Sequence, residues 1–303
     1  SVAHHFTSIN SHVQAYLVRH HSLLPFARVI NANINGGYGD LPSLTRLTDP
    51  NGLKYAMTFP EHIHMAGLTA KIGIAPATQV YTEIAYRPDQ PLSLNLSDAI
   101  AAFLQRTPNS ALNLAKGTNA IPPGGIFDAY DRFKVTTLIV GVDKAFPGLA
   151  ASQQVTLLTE LGLSHVSGLP APGLLRYGRP EEYGTAQVAS GAPCVDNTVA
   201  KKSCALDGFV TANAWGYRVR AAATYPGAFL GARLTPSIAF AHDVSGYSHD
   251  STYIQGRKML ETALRAEWGQ QYFAGVAYSV IHGGKYVNSI NRDTVSVFVG
   301  TRF

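Results

Sequence analysis

Read backward from its end, the chain alternates apolar and other residues in short segments. Val295, Val297, Val299, Thr301 and Phe303 fall on one side of an extended segment, and Ser296, Phe298, Gly300 and Arg302 on the other. In "YFAGVAYSVI" the first side carries Tyr272, Ala274, Val276, Tyr278 and Val280. The tight "WGQQ" turn joins this to a run with Leu260, Thr262, Leu264, Ala266 and Trp268 on one side and Glu261, Arg265 and Glu267 opposite.

The same grammar continues upstream. "WGYRVRAAA" sets Trp215, Tyr217, Val219 and Ala221 against Arg218 and Arg220, and "YPGAFLG" turns it into a strand near Leu234 to Ala241. Val155, Leu157, Thr159, Leu161 and Leu163 oppose Thr156, Glu160 and Ser164, and "FPGLAAS" pairs this run with Lys134 to Lys144. A hairpin through "APAT" joins His64 to Ile74 with Val80, Thr82, Ile84 and Tyr86; Glu83 and Arg87 lie on its opposite face. "HVQAYLVRH", near His12 to His20, is the tenth strand.

The connections alternate too. They are tight near 75–79, 146–152, 226–231 and 269–271, and long and polar near 20–61, 88–133, 167–207, 243–256 and 282–291. A soluble β-sandwich also alternates, but with mostly short loops and polar exposed faces. Strands of about 9 to 11 residues with one aliphatic and aromatic face, short turns at one end and long loops at the other fit a membrane barrel. The pattern predicts an all-β chain, a transmembrane antiparallel up-and-down β-barrel of the outer-membrane type. About ten strands fall within a single domain over 1–303, with a short helix in a long extracellular loop.

Composition sharpens the choice. The chain of 303 residues is 46% hydrophobic and only 14% charged, against roughly 25% charged in soluble domains. No stretch reaches the roughly 18 unbroken apolar residues of a membrane helix, so a membrane location implies spanning by strands. The net charge of +5 is scattered, without the basic runs or motifs of nucleic-acid binding. "SVAHHFTSIN" lacks the charged and apolar regions of a signal peptide, so the expectation is either a removed signal or a start inside a longer protein.

Several stretches carry a family resemblance. "DGFVTANAWGYRVRAAATYPGAFLGARLTPSIAFAHDVSGYSHD", "GRKMLETALRAEW" and "NRDTVSVFVGTRF" resemble the bacterial outer-membrane proteins catalogued as domain of unknown function 1302, as do "YLVRHHSLLPF", "EIAYRPDQPLSLN" and "CALDGFV". Members are usually longer, so the resemblance implies a C-terminal portion of a larger barrel. It implies the outer membrane of a Gram-negative bacterium, contact with outer-membrane lipid and lipopolysaccharide, and a periplasmic companion protein or envelope-spanning transporter. It supplies no catalytic residues. The terminal aromatic Phe303 after Val295, Val297 and Val299 resembles the signal read by the barrel-assembly machinery.

The expected function is to transport, or help export or import, a hydrophobic or amphiphilic molecule across the outer membrane, without enzymatic activity. The alternatives are a structural barrel anchoring a cross-envelope complex and a barrel hydrolase.

Candidate chemistry sits on the non-aromatic face. Lys71, Glu83, Arg87, Glu160, Arg218, Arg220, Glu261, Arg265 and Glu267 share it. A lipid-facing Arg or Lys at the midplane costs roughly 2–4 kcal/mol, so these residues are expected to line the lumen. Arg218 and Arg220 are expected to pair with Glu261 and Glu267. The segment "HDVSGYSHD" holds His242, Asp243, Ser245, Ser248, His249 and Asp250, the residue types of a hydrolase triad.

His62 and His64 fall on one strand face but lack a third ligand in the spacing, so neither a metal nor any other cofactor is expected. Cys194 and Cys204 are expected to close a loop by a disulfide in an oxidising compartment. "LSDAIAAFLQRTP" predicts a helix capped by Ser97 or Asp98, apolar at Ile100, Phe103 and Leu104 and stopped at Pro108. It either packs on loop neighbours or covers the barrel mouth.

Overall fold

The computed structural model describes residues 2–6, 11–32, 49–103, 110–184, 186, 204–289 and 292–302. Alternation produces one antiparallel sheet of eleven strands. In order across the sheet these are β1 (Val2–Phe6), β2 (Ser11–His20), β5 (Ile63–Ala75), β6 (Thr78–Ser93), β8 (Tyr130–Pro147), β9 (Gln154–Ser167), β10 (Asn213–Phe229), β11 (Ala232–Ser245), β12 (Lys258–Trp268), β13 (Tyr272–His282) and β14 (Thr294–Thr301). Each strand pairs with its predecessor in the sheet, an up-and-down order. The ten expected strands are all present, and β1 is the eleventh. Among the described residues no ladder joins β1 to β14, so the eleven strands form an open sheet rather than the closed ring a barrel requires.

Three further strands, β3 (Phe26–Ile30), β4 (Lys54–Thr58) and β7 (Ile126–Asp128), make a small sheet in the order β4-β3-β7 within the long loops. They are too short to show period-2 alternation. Arg28 on β3 clasps Asp128 on β7, its Nη2 donating to Oδ2 at 3.0 Å.

Local chemistry sets the tight ends. β5 and β6 are joined by Pro76 and Ala77, the latter at φ +54. Proline at the first central position and a positive φ at the second are the marks of a type II turn. Phe229 pairs with Ala232 across Leu230 (φ +49) and Gly231 (φ +74), the double positive φ of a type I′ hairpin turn. All the tight turns fall at one end of the sheet and all the long loops at the other.

Through the middle of the strands register carries the two faces across the sheet, with irregularities only near strand ends, at Gly73/Ala75, Arg87/Gln90, Trp215/Gly216 and Tyr225/Phe229. On the first, Val140, Leu161 and Tyr217 lie side by side, and so do Leu264, Val276 and Val297. Large apolar side chains on this face stay exposed along the sheet: Leu68, Ile84, Val140, Leu161, Ile238 and Leu264 are all in this state, and edge-strand Val295, Val297 and Val299 are 67%, 76% and 80% exposed. On the second face Lys71, Tyr81, Gly141, Glu160, Arg218, Ala241, Met259 and Ile281 form one transverse row.

The buried apolar core lies at the long-loop end. Val135 on β8 and Val166 on β9, paired on the second face, are buried against Phe103, Leu112, Leu175 and Val210 from the loops. The loops thus fold over the second face. They also converge: Ser93 and Leu94 at the end of β6 share a cavity wall with Asn288, just beyond β13. In a flat sheet those strands stand six spacings apart, roughly 29 Å. The sheet curls, with the second face concave.

Candidate functional site

The concave face is built by a repeated device. Tyr16 on β2 lies opposite Gly67 on β5, where a Cβ would fall inside the tyrosine ring; its hydroxyl reaches beyond and donates to Glu83 Oε1 on β6 at 2.9 Å. Tyr81 on β6 lies in the same way over Gly141 on β8 and donates to Glu160 Oε2 on β9 at 3.2 Å. A missing side chain lets a ring lie flat across the neighbouring strand, and the phenol then holds a carboxylate on the strand after it. Phe298 covers Gly275 and Phe273 covers Gly300 without the polar tip.

All nine charges expected to face away from the aliphatic side share the concave face: Lys71, Glu83, Arg87, Glu160, Arg218, Arg220, Glu261, Arg265 and Glu267. Their pairing differs from expectation. Arg218 stands directly opposite Glu160, its Nη1 3.8 Å from Oε1, and its guanidinium lies 5.6 Å from the Tyr253 ring centroid. Glu267 takes Arg265 Nε at 3.1 Å and Arg302 Nη2 at 3.2 Å. Glu261 is two strands from Arg220 with Ala239 between them, and neither has an ion-pair partner within 4.0 Å among the described residues. Arg218 thus meets a neighbour on the adjacent strand, and Glu267 meets one residue on its own strand and one just past β14, whereas Arg220 and Glu261 do not meet across Ala239.

Two loop units cover the concave side. The first holds α1 (Leu96–Phe103) and α2 (Ala111–Lys116). Asn95, not Ser97 or Asp98, caps α1, its Oδ1 accepting from the Asp98 amide at 3.1 Å. Ala99, Ala102 and Phe103 are its buried apolar residues; Ile100 points outward, and Leu104 and Pro108 lie outside the described residues. Asp98 is free for a different task. Its carboxylate meets Arg176 Nη1 at 3.0 and 3.3 Å, with both side chains buried, while Arg176 Nε donates to Pro172 O at 2.8 Å. Burial outweighs the guanidinium and raises the Asp98 carboxyl to about 6.

Nearby Arg179 (φ +64) spends its guanidinium on the carbonyls of Ala205, Asp207, Tyr183 and Gly184 at 2.6–3.0 Å and stacks 4.1 Å from the Phe209 centroid. In "LLRYGRPEEYG" nothing distinguishes these two arginines from solvated loop cations, and sequence reasoning missed both.

The second unit is the loop after β11. Tyr253 drops its hydroxyl onto Gly162 of β9, where a side chain would collide, and its ring lies near Gly216 of β10. The Ser/His/Asp segment therefore has a structural arrangement. Ser248 Oγ donates to Asp250 Oδ1 at 2.7 Å, and Asp243 holds Arg257 at 2.6 Å. His242 lies on the opposite, aliphatic face beside Tyr217. Among the described residues no serine–histidine hydrogen bond forms there. His249 is half-buried, its Nδ1 shielded and unbonded among the described residues; burial lowers its pKa, Asp250 opposes this and Arg87 adds to it.

His62 and His64 do not share a face. His64 Nδ1 meets Asp89 Oδ2 at 2.6 Å, whereas His62 (φ +60) precedes β5 and joins His21 and Glu61, their ligand-type atoms within 4.8 Å. Arg19 Nη2 stands 2.6 Å from His62 Nδ1, a cation that disfavours a second one. Cys194 lies outside the described residues; Cys204 is not a free thiol. Val295, Val297 and Val299 all lie on the aliphatic face, and Phe303 is outside the described residues.

A recess of about 440 Å³ on the concave sheet is bounded by Leu158, Arg218, Arg220, Met259, Glu261 and Ile281 over a floor of Ala239 and Ala241. It combines apolar walls with a cation and an anion held apart, the mixed lining of small-molecule pockets in general.

A family model described as "Protein of unknown function (DUF1302)" matches residues 2–303, and the chain belongs to that family. No curated protein matches the chain.

Proposed function

We propose that the chain is the barrel wall of an outer-membrane protein of a Gram-negative bacterium that moves, or helps move, a hydrophobic or amphiphilic molecule across that membrane. The observation that carries this reading is the division of the sheet. Large aliphatic side chains are exposed across one face while nine charges and the loop cap occupy the other. Exposed apolar surface on this scale needs a non-aqueous partner, and lipid covers such a face in an outer-membrane barrel.

The remaining parts follow from that setting. The charged concave face lines the lumen, the helical unit covers the long-loop mouth, and Cys194 pairs with Cys204 in an oxidising compartment. Lipopolysaccharide borders the long-loop rim, the barrel-assembly machinery reads the last strand, and a periplasmic companion or envelope-spanning transporter delivers or collects the cargo. No catalytic step is assigned to the chain. The test is permeation of lipid-like and aromatic solutes into liposomes bearing the protein. Uptake above that of protein-free liposomes supports the reading; no permeation of any such solute, with the protein verified as inserted, refutes it.

A further inference from the structure

The recess on the concave face combines three features. Arg220, Ala239 and Glu261 stand side by side on β10, β11 and β12. Two strand spacings separate the charged residues, about 10 Å at the backbone, and the alanine between them leaves the space above it open. Arg218 is already compensated by Glu160 and stacked near Tyr253, so the charges left to a ligand are one cation, Arg220, and one anion, Glu261. Beside them Leu158, Met259 and Ile281 supply apolar surface.

We infer that this recess is a binding site for a zwitterionic amphiphile, whose carboxylate pairs with Arg220, whose ammonium group pairs with Glu261, and whose apolar body lies over Ala239 and Met259. The inference rests on the barrel reading above and deepens it by naming the class of cargo. Charge complementarity selects the class. A simple carboxylate satisfies Arg220 but faces Glu261, and a simple amine does the reverse; either brings one like charge into a partly apolar recess. A molecule carrying both charges meets two opposite partners.

The test uses the chain in lipid nanodiscs and three probes: 8-aminooctanoate, whose charged ends lie roughly 10 Å apart when extended, octanoate and octylamine. Binding is followed by saturation-transfer nuclear magnetic resonance. The expected result is at least tenfold tighter binding of 8-aminooctanoate than of either singly charged probe. Arg220→Gln and Glu261→Gln each remove that preference, and the double exchange Arg220→Glu with Glu261→Arg restores it. Ala239→Leu, which fills the floor and leaves both charges, abolishes binding of all three probes.

Equal binding of octanoate and 8-aminooctanoate, or a preference untouched by these variants in barrels of unchanged heat-modifiable mobility, overturns the inference. Its failure is separable from failure of the transport reading. Permeation of lipid-like solutes without zwitterion preference sinks only the inference, whereas the preference without any permeation sinks only transport.

Discussion

Adjacent residues in the middle of β13 offer the sharpest test of which side of the sheet meets lipid. Val276 lies on the aliphatic face between Leu264 of β12 and Val297 of β14, and Ala277 points the other way, between Ala263 and Ser296. An arginine facing lipid at the midplane costs roughly 2–4 kcal/mol. Val276→Arg also loses its cross-strand apolar pairs, about 0.2–1 kcal/mol each.

On that reading Ala277→Arg enters a charged, water-facing surface, where a well-tolerated substitution stays within about 0.5 kcal/mol. The expected gap is at least about 2 kcal/mol, roughly a thirtyfold difference in the folding equilibrium. Urea unfolding from lipid vesicles, followed through Trp215 and Trp268 fluorescence, measures it. Equal costs, or the larger cost at Ala277, would refute the assignment of the aliphatic face to lipid. Repeating the comparison with Leu264→Arg and Ala263→Arg on β12 guards against an effect peculiar to one strand.

Other predictions concern the loop cap and the glycine clefts. Arg176→Met leaves the Asp98 carboxylate buried without its cation at neutral pH, a loss of roughly 3–5 kcal/mol; hydrogen exchange should show lost protection in α1, whereas Asp98→Leu with Arg176→Met should retain most of it. Because the folded carboxyl titrates near 6, above its ordinary 3.8, the folded cap holds the Asp98 proton more tightly than the unfolded chain does. The contribution of this group is therefore greatest below pH 4 and declines as pH rises to about 6, by up to about 3 kcal/mol. A carboxyl resonance titrating near 4 would contradict it. Gly141→Val drives a side chain into the Tyr81 ring and should cost about 1–3 kcal/mol, measurable by the same urea titration, with recovery in Gly141→Val combined with Tyr81→Ala. Phe303→Asp should lower the yield of folded barrel in heat-modifiability gels, and normal insertion of that variant would refute its assembly role.

Much of the sheet was legible because an extended strand has a side-chain period of two. Once Val295, Val297 and Val299 share a face, so must every residue in register with them, and the nine charges fell together on the other side. The tight turns were legible for the same local reason, since Pro76 and Gly231 mark sharp reversals wherever they occur. Legibility stopped where contacts are distant. Strands of three to five residues in the long loops, β3, β4 and β7, show no period, and the cap of α1, expected at Ser97 or Asp98, falls on Asn95, which only the packing decides.

The sequence by itself determined the two-faced strands, their up-and-down order and the short-against-long alternation of their connections, all of which depend on neighbours within one or two strands. The tertiary structure alone decided that Arg176 meets Asp98 across 78 positions, that Tyr253 drops onto Gly162, and that Arg220 and Glu261 stay apart over an alanine. The physical reason is range. Alternation fixes which side a residue faces, but a partner on another loop or two strands away depends on the curl of the sheet and the space left by glycine and alanine, which no local pattern encodes.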